Sequence, residues 1–311
     1  MKILRIIRVH LIIFTVFGIF ACSSLPDMHE NIHNEGMQSW EQSISTDTLR
    51  ANLVWTKPIA SGPHPTVIVH SGIRHSADDM RGMLMDLAKQ GYLAVAIDYQ
   101  RRVAGDWSFS TMPLREKSEI DFVINNITQN PIVDKTNIAL LGFSLGGAHS
   151  LRLAQNNPAI KAVVVYYPMT DFIDWNDSFK KSFVWWFVIK QIKRTYLAEA
   201  DHHTEATHRE LLSRYSAINF VNKVNAPVLV IHGDKDRIAP LYHSENLVSA
   251  LKHHGNTNSK LVVLKDTSHA FNFKRNEKSL RSWQASLAWI NRYFELPSQK
   301  IILTKREGNE S

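Results

Sequence analysis

Cysteine is almost absent: Cys22 is the single one among 311 residues, so no disulfide can form within the chain. The apolar run at residues 11–20, "LIIFTVFGIF", is only ten residues long, about half of what a membrane-spanning helix needs. Internal repeats and low-complexity tracts are absent, which excludes a repeat architecture. Charge of one sign is not concentrated. The net +7 comes from 36 basic and 29 acidic residues spread along the chain. Basic residues recur near 180–194 without any nucleic-acid motif, so nucleic acid is excluded as the main partner. Metal-ligand spacing is missing as well. "DHHTEATH" offers His202, His203 and His208, but not the Cys or carboxylate pattern of a zinc site, and it reads as a polar loop.

What is present begins with an N-terminal signal. "MKILRIIRVH" is a basic segment placed before the apolar one, followed by Ile19-Phe20-Ala21-Cys22 and "SSLPD". The order of basic segment, apolar segment and small residue is that of a secretory leader. With Cys22 after Ala21 it resembles a bacterial lipoprotein signal, which implies cleavage after residue 21, lipid on Cys22 and a cell-envelope location. Ser23, rather than Asp, then implies the outer membrane where a cell has one. A plain secretory signal and an uncleaved anchor remain open alternatives. Without residues 1–21 the chain loses Lys2, Arg5 and Arg8 and keeps 33 basic residues against 29 acidic ones, a net +4.

Hydrophobic residues at 44% and charged residues at 21% are ordinary for a globular chain with a large core. Residues 22–48 are polar and read as a tether. Strand-like runs follow at Leu49–Trp55, Thr66–His70, Leu93–Ile97, Asn137–Leu141, Ile160–Tyr166, Pro227–Ile231 and Leu261–Leu264. Several are nearly continuous Val/Ile/Leu stretches, the pattern of strands buried on both faces. Helical periodicity lies between them at about 77–90, 113–128, 146–156, 241–253 and 279–295. This alternation predicts one α/β domain over 49–295, with a mostly parallel sheet and helices on both faces. The interval between Tyr167 and Pro227 is too long for a crossover and reads as a helical cap, about 169–223, inserted into the sheet domain. Residues 296–311 read as a polar tail.

The motif that points to chemistry is "IALLGFSLGGAHSLRLAQ", residues 138–155. Gly142-x-Ser144-x-Gly146 sits after a strand and before a helix, the context of a nucleophile elbow. Small glycines permit a turn tight enough to lift a serine hydroxyl above the sheet. The helix after it aims N–H groups toward developing negative charge. A serine nucleophile needs a base, and the base needs an orienting acid, in the order Ser, Asp/Glu, His. "PVLVIHGDKDRIAP" supplies Asp234 and Asp236 after one strand, and "LVVLKDTSHAFNF" supplies His269 after the next. All three positions leave the carboxyl ends of strands, where open parallel sheets bind ligands.

From about Leu49 to Phe294 the chain resembles an α/β-hydrolase of the dienelactone-hydrolase-like type, and is similar also to the catalytic domain of prolyl-oligopeptidase-type peptidases. The stretches that carry the likeness are "GFSLGG", "APVLVIHGDKDRIAP" and "SHAF". The resemblance implies Ser144 as nucleophile, Asp236 of the His-Gly-x-x-Asp pattern as acid, with Asp234 a decoy, and His269 as base. It implies oxyanion donors at the Leu145 N–H and in the loop after His70, at Gly72 or Ile73. This chain has Ser144 where dienelactone hydrolases carry Cys, and Ser71 where many relatives have Gly. No segment of it reads as the β-propeller that oligopeptidase-type peptidases usually carry.

The expectation is therefore a serine hydrolase of carboxylic esters that works through an acyl-enzyme. It acts on a small ester, needs no metal or organic cofactor, and is held at a membrane through Cys22. A peptidase or amidase on short substrates is the enzymatic alternative. A catalytically idle envelope lipoprotein that uses the fold for binding is the other. Arg101 and Arg102 follow a strand near the same edge and read as solvated rather than as a carboxylate clamp. His70 precedes the nucleophile and reads as shaping the oxyanion loop. In the cap, "SFVWWFVIKQIKRTY" taken as a helix aligns Trp185, Val188, Ile189, Ile192 and Tyr196, with Phe183, Trp186 and Phe187 opposite. Such a doubly apolar helix is covered by other cap helices, walls an acyl pocket, or touches lipid.

Overall fold

Strand β4 (Leu93–Val103) shows how these sequences become a two-sided sheet. Leu93, Val95 and Ile97 enter one core while Ala94 and Ala96 enter the other, because alternate strand residues point to opposite faces. In the computed structural model the described residues are 36–47, 49–73, 75–103, 106–108, 117–179, 205–274 and 276–294. The other strands are β1 (Met37–Ser45), β2 (Leu49–Pro58), β3 (His64–His70), β5 (Asp106–Ser108), β6 (Val133–Phe143), β7 (Ile160–Tyr166), β8 (Val228–Gly233) and β9 (Ser259–Leu264). They form one sheet in the order β1-β2-β4-β3-β6-β7-β8-β9, with β5 paired to β4. From β4 to β9 along that order every neighbour is parallel. The pairs β1–β2, β2–β4 and β4–β5 are antiparallel.

Helices cover both faces. On one lie α1 (Arg81–Lys89), through Leu84 and Leu87, and α7 (Glu277–Tyr293), through Trp283 and Ile290. On the other lie α2 (Lys117–Gln129), α3 (Leu145–Leu153) and α6 (Tyr242–His253), burying Ile120, Val123, Leu151, Leu247 and Leu251 among others. This is the mostly parallel, two-sided sheet that the alternating pattern predicts, and it is the α/β-hydrolase fold that the resemblance implies. Among the described residues no helix is long and apolar enough to cross a membrane.

The tether expectation needs correction. Residues 37–45, placed in a polar linker over 22–48, form β1 and extend the sheet beyond Leu49. Only Met37, Trp40 and Ile44 are apolar there, too sparse for a period-two signal. Pairing supplies what the pattern lacks: a full antiparallel register against β2 and the Trp40 ring stacked on Trp55 at 5.5 Å. The short β5 was likewise not foreseen.

Between β7 and β8 the described part of the cap comprises α4 (Phe172–Phe179), α5 (Glu205–Tyr215) and two short 3-10 turns, Ala217–Asn219 and Val221–Lys223. The aromatic stripe from Trp185 to Tyr196, and His202 and His203, lie outside the described residues, as does Cys22. For His208, Arg101 and Arg102 the backbone is described but not the side chain.

Candidate active site

The chain leaves β3 toward β4 on one side, and leaves β6 toward β7 on the other. That reversal opens a crevice above the carboxyl ends of β3 and β6, the usual ligand position in an open parallel sheet. Pairing His70 with Gly142, Phe143 with Tyr166, Tyr166 with Ile231 and Gly233 with Leu264 brings five strand ends to one level. The loops that leave that level bear Ser71–Ile73, Ser144, Tyr167, Asp236 and His269.

Ser144 stands at φ 53°, ψ −117° as the residue before α3, a conformation costly for any residue with a side chain, on the order of 1–3 kcal/mol. Its N–H donates to Tyr166 O at 2.9 Å, which holds the turn to the neighbouring strand. The glycines around it are required by close approach. A Cβ on Gly146 would lie 2.2 Å from His70 O and 2.3 Å from Ser71 O, and one on Gly142 would lie 2.4 Å from Gly146 O. The first turn of α3 therefore packs backbone to backbone against the loop after β3. Leu145, the first residue of α3, has one of the N–H groups that a helix cannot satisfy internally.

The sequence-predicted partners converge on this serine. His269 Nε2 is 3.1 Å from Ser144 Oγ, and His269 Nδ1 is 2.6 Å from Asp236 Oδ2. A carboxylate only accepts, so Nδ1 carries the hydrogen and Nε2 is free to accept the serine proton. Asp234 is not brought to the base; it accepts from the Thr267 N–H at 3.3 Å. Burial works to raise the Asp236 carboxyl, but hydrogen bonds from His232 and His269 outweigh it and hold the group well below the usual carboxylate range. Its other oxygen accepts from the N–H groups of Ile238 and Ala239 at 2.8 and 2.9 Å.

Three contributors escaped the sequence reading. His232, wholly buried at the end of β8, sets Nε2 3.3 Å from Asp236 Oδ2 and 2.7 Å from Ala239 O, with Nδ1 2.6 Å from Ser244 Oγ. It braces the acid from behind; the "IHGD" spacing was its only signal. Trp175 of α4 donates from Nε1 to Ile238 O at 2.7 Å, tying the cap to the acid loop. Tyr167 lays its ring against His269 at 4.3 Å between centroids.

The loop after β3 lies beside the nucleophile. A Cβ on Gly72 would be 3.3 Å from Phe143 O and 3.4 Å from Ser144 Cβ, and Ile73 packs partly buried against the core. Ser71 Oγ donates to His75 O at 2.9 Å, and His75 N–H returns to Gly72 O at 3.2 Å, closing a tight turn. His70 anchors its start. Both ring nitrogens are engaged, Nδ1 with Ser150 Oγ at 2.9 Å and Nε2 with Tyr99 OH at 3.2 Å, and burial pushes its pKa down to about 3. A neutral, fully engaged imidazole is a strut rather than a base. Among the described residues no group of His, Cys, Asp or Glu could hold a metal ion.

A serine, histidine and aspartate in one hydrogen-bonded line at the crevice of an α/β-hydrolase fold agree with a hydrolase of the serine-hydrolase type. The chain belongs to the prolyl oligopeptidase family, whose model matches residues 86–296. It is 24% identical over 292 residues to a Yersinia pestis protein named "Putative carboxymethylenebutenolidase", covering 86% of this chain and 93% of that one. Among solved structures it is similar to one titled a "Putative Dienelactone Hydrolase" from Klebsiella pneumoniae, with TM-score 0.60 and 21% identity over 83% of this chain and all of the other. It is also similar to the Pyrococcus horikoshii acylaminoacyl peptidase, with TM-score 0.65 and 16% identity over 85% of this chain and 43% of that one.

Proposed function

We propose that the chain hydrolyses carboxylic esters through an acyl-enzyme on Ser144. The observation that carries this is the unbroken relay from Ser144 Oγ through His269 to Asp236, at 3.1 and 2.6 Å. Ser144 Oγ attacks the acyl carbon as its proton passes to His269 Nε2, and Asp236 holds the imidazolium by charge and hydrogen bond. The carbonyl oxygen, now an oxyanion, is met by the Leu145 N–H and by an N–H of the His70–Ile73 loop, at Gly72 or Ile73. His269 returns the proton to the departing alkoxide. Water then repeats the sequence on the acyl-enzyme and frees the acid. No step calls for a metal or organic cofactor.

Family membership favours one second reading, a peptidase or amidase on short substrates, because the same relay can protonate an amine. A panel of nitrophenyl esters against peptide anilides separates the two. Esters turned over with kcat/KM far above the anilides support the first reading, and the reverse order overturns it. An intact relay argues against an idle binding lipoprotein, and labelling of Ser144 by a fluorophosphonate tests that directly.

The leader supports a second element of the proposal: Cys22 becomes the lipidated N-terminus, and the domain works at a membrane surface of a bacterial envelope without spanning it. Mass spectrometry of the mature N-terminus checks this. An N-terminus elsewhere, or an unmodified Cys22, overturns it.

A further inference from the structure

A second left-handed backbone in the site belongs to a residue with no role in the relay. Tyr167, the first residue past β7, has φ 38°, in the region where a bulky side chain is a genuine outlier. Its N–H completes the parallel ladder by donating to Ile231 O at 2.8 Å, one strand over from the equivalent bond of Ser144 to Tyr166 O. What the conformation achieves is the placement of the ring, which is almost wholly buried.

The loop after β9 folds around that ring. His269 packs against it at 4.3 Å between centroids, tilted 56°. Phe271 meets it edge-on at 5.6 Å, and the phenol O–H donates to Asn272 Oδ1. Three residues of the base loop within four positions thus rest on one side chain. The loop itself turns sharply at Ala270, with φ 57°. Burial, then the charge of Asp236, push the Tyr167 phenol well above its ordinary pKa, so it stays a donor to Asn272 across the working range.

We propose that Tyr167 is a positioning residue for His269: its ring blocks rotation of the imidazole out of line with Ser144 and Asp236, and keeps water from the His269–Asp236 pair. The imidazole must face two partners at once, and a few tenths of an ångström of drift weakens both contacts. Asp236 limits the ring at Nδ1 only. The Tyr167 face supplies the lateral wall. Strain stored beside a reacting group, and compensated by packing elsewhere, is the general pattern of such sites. This inference rests on the serine-hydrolase reading of the site.

The test compares Tyr167→Phe, Tyr167→Ala and Tyr167→Gly in the full chain. It reads the second-order rate of fluorophosphonate labelling, kcat and KM on nitrophenyl acetate, and melting temperature. Phe keeps the wall and loses the Asn272 anchor, so it should stay within about threefold of wild type. Ala and Gly both lose the wall, and both should lose about 10- to 100-fold in labelling rate and kcat with little change in KM. Gly alone relieves the backbone, so it should melt above Ala. Stability then separates Ala from Gly while activity does not, which a merely structural role cannot produce. The proposal is overturned if labelling of the Gly variant matches wild type, or if activity follows melting temperature across the three. A wild-type chain that takes no label overturns the serine-hydrolase reading, and this inference with it.

Discussion

Asp236 and His269 meet at 2.6 Å, Oδ2 to Nδ1, across the ends of β8 and β9. Asp234, only two residues earlier, instead accepts from the Thr267 backbone at 3.3 Å. The difference lies in the turn: the N–H groups of Ile238 and Ala239 take the second Asp236 oxygen and leave the first aimed at the base. Asp236→Asn should cost on the order of 10⁴ in kcat, since an amide offers no charge and permits the wrong tautomer. Asp234→Asn should cost less than about tenfold, because the amide oxygen can still accept the long hydrogen bond from the Thr267 N–H. Steady-state kinetics on one ester decides it, and the opposite ranking would exclude Asp236 as the acid.

Ser144 carries both the reacting oxygen and the backbone strain. Ser144→Ala removes the oxygen and should abolish fluorophosphonate labelling, lowering turnover by several orders of magnitude, as removal of one member of a concerted unit does. Ser144→Gly should be equally inactive yet more stable than the Ala variant by about 1 kcal/mol, because glycine adopts φ 53° freely. Urea unfolding of the two variants measures the difference. An Ala variant as stable as the Gly variant would mean the elbow is not strained.

The cap reaches the acid through Ile238. Trp175 Nε1 donates to Ile238 O, and the N–H of that residue donates to Asp236. Tyr242 O–H, from α6, secures the same helix by donating to Asp174 at 2.5 Å. Trp175→Phe keeps the ring but leaves the Ile238 carbonyl without this donor, a stability loss of about 1–3 kcal/mol. With the acid loop loosened, kcat should fall about 3- to 10-fold at nearly constant KM. A rise in KM with unchanged kcat would show that the tryptophan serves substrate binding alone.

Two groups, the buried His70 and the partly buried Asp98, pull the pH dependence of stability in opposite directions. His70 takes a proton near 6.5 when unfolded but only at about 3 when folded, because burial penalises its charged form. Its contribution is present above 6.5 and is lost as pH falls toward 3. Asp98 is raised by burial from 3.8 to about 7, so it favours the folded chain as pH falls through that window. The difference between wild type and His70→Gln isolates the histidine. Between pH 6.5 and 4.5 the wild type should lose on the order of 2 kcal/mol more than the variant does. Parallel losses in urea titrations at the two pH values would show that His70 is charged in the folded chain.

The sequence by itself determined the layered fold, because strands buried on both faces must be continuous Val/Ile/Leu runs and amphipathic helices must lie between them. It supplied the candidate nucleophile and base as well, which the structure brings within hydrogen-bond reach of each other. A strand–Gly-x-Ser-x-Gly–helix junction and a His in the final strand's loop carry their geometry in local spacing. Near Asp234 and Asp236 spacing alone left two candidates, and the resemblance favoured the second. Tertiary structure is what separates them, through the Ile238 and Ala239 N–H groups and the buried His232. Tertiary structure also decided β1, whose few apolar residues gain order from the β2 edge, the Trp55 ring and the core beneath. The same holds for Tyr167 and Trp175. Each acts on a loop far away in the chain, through a contact that exists only once five strand ends have been brought to one level, and no local periodicity records such a contact.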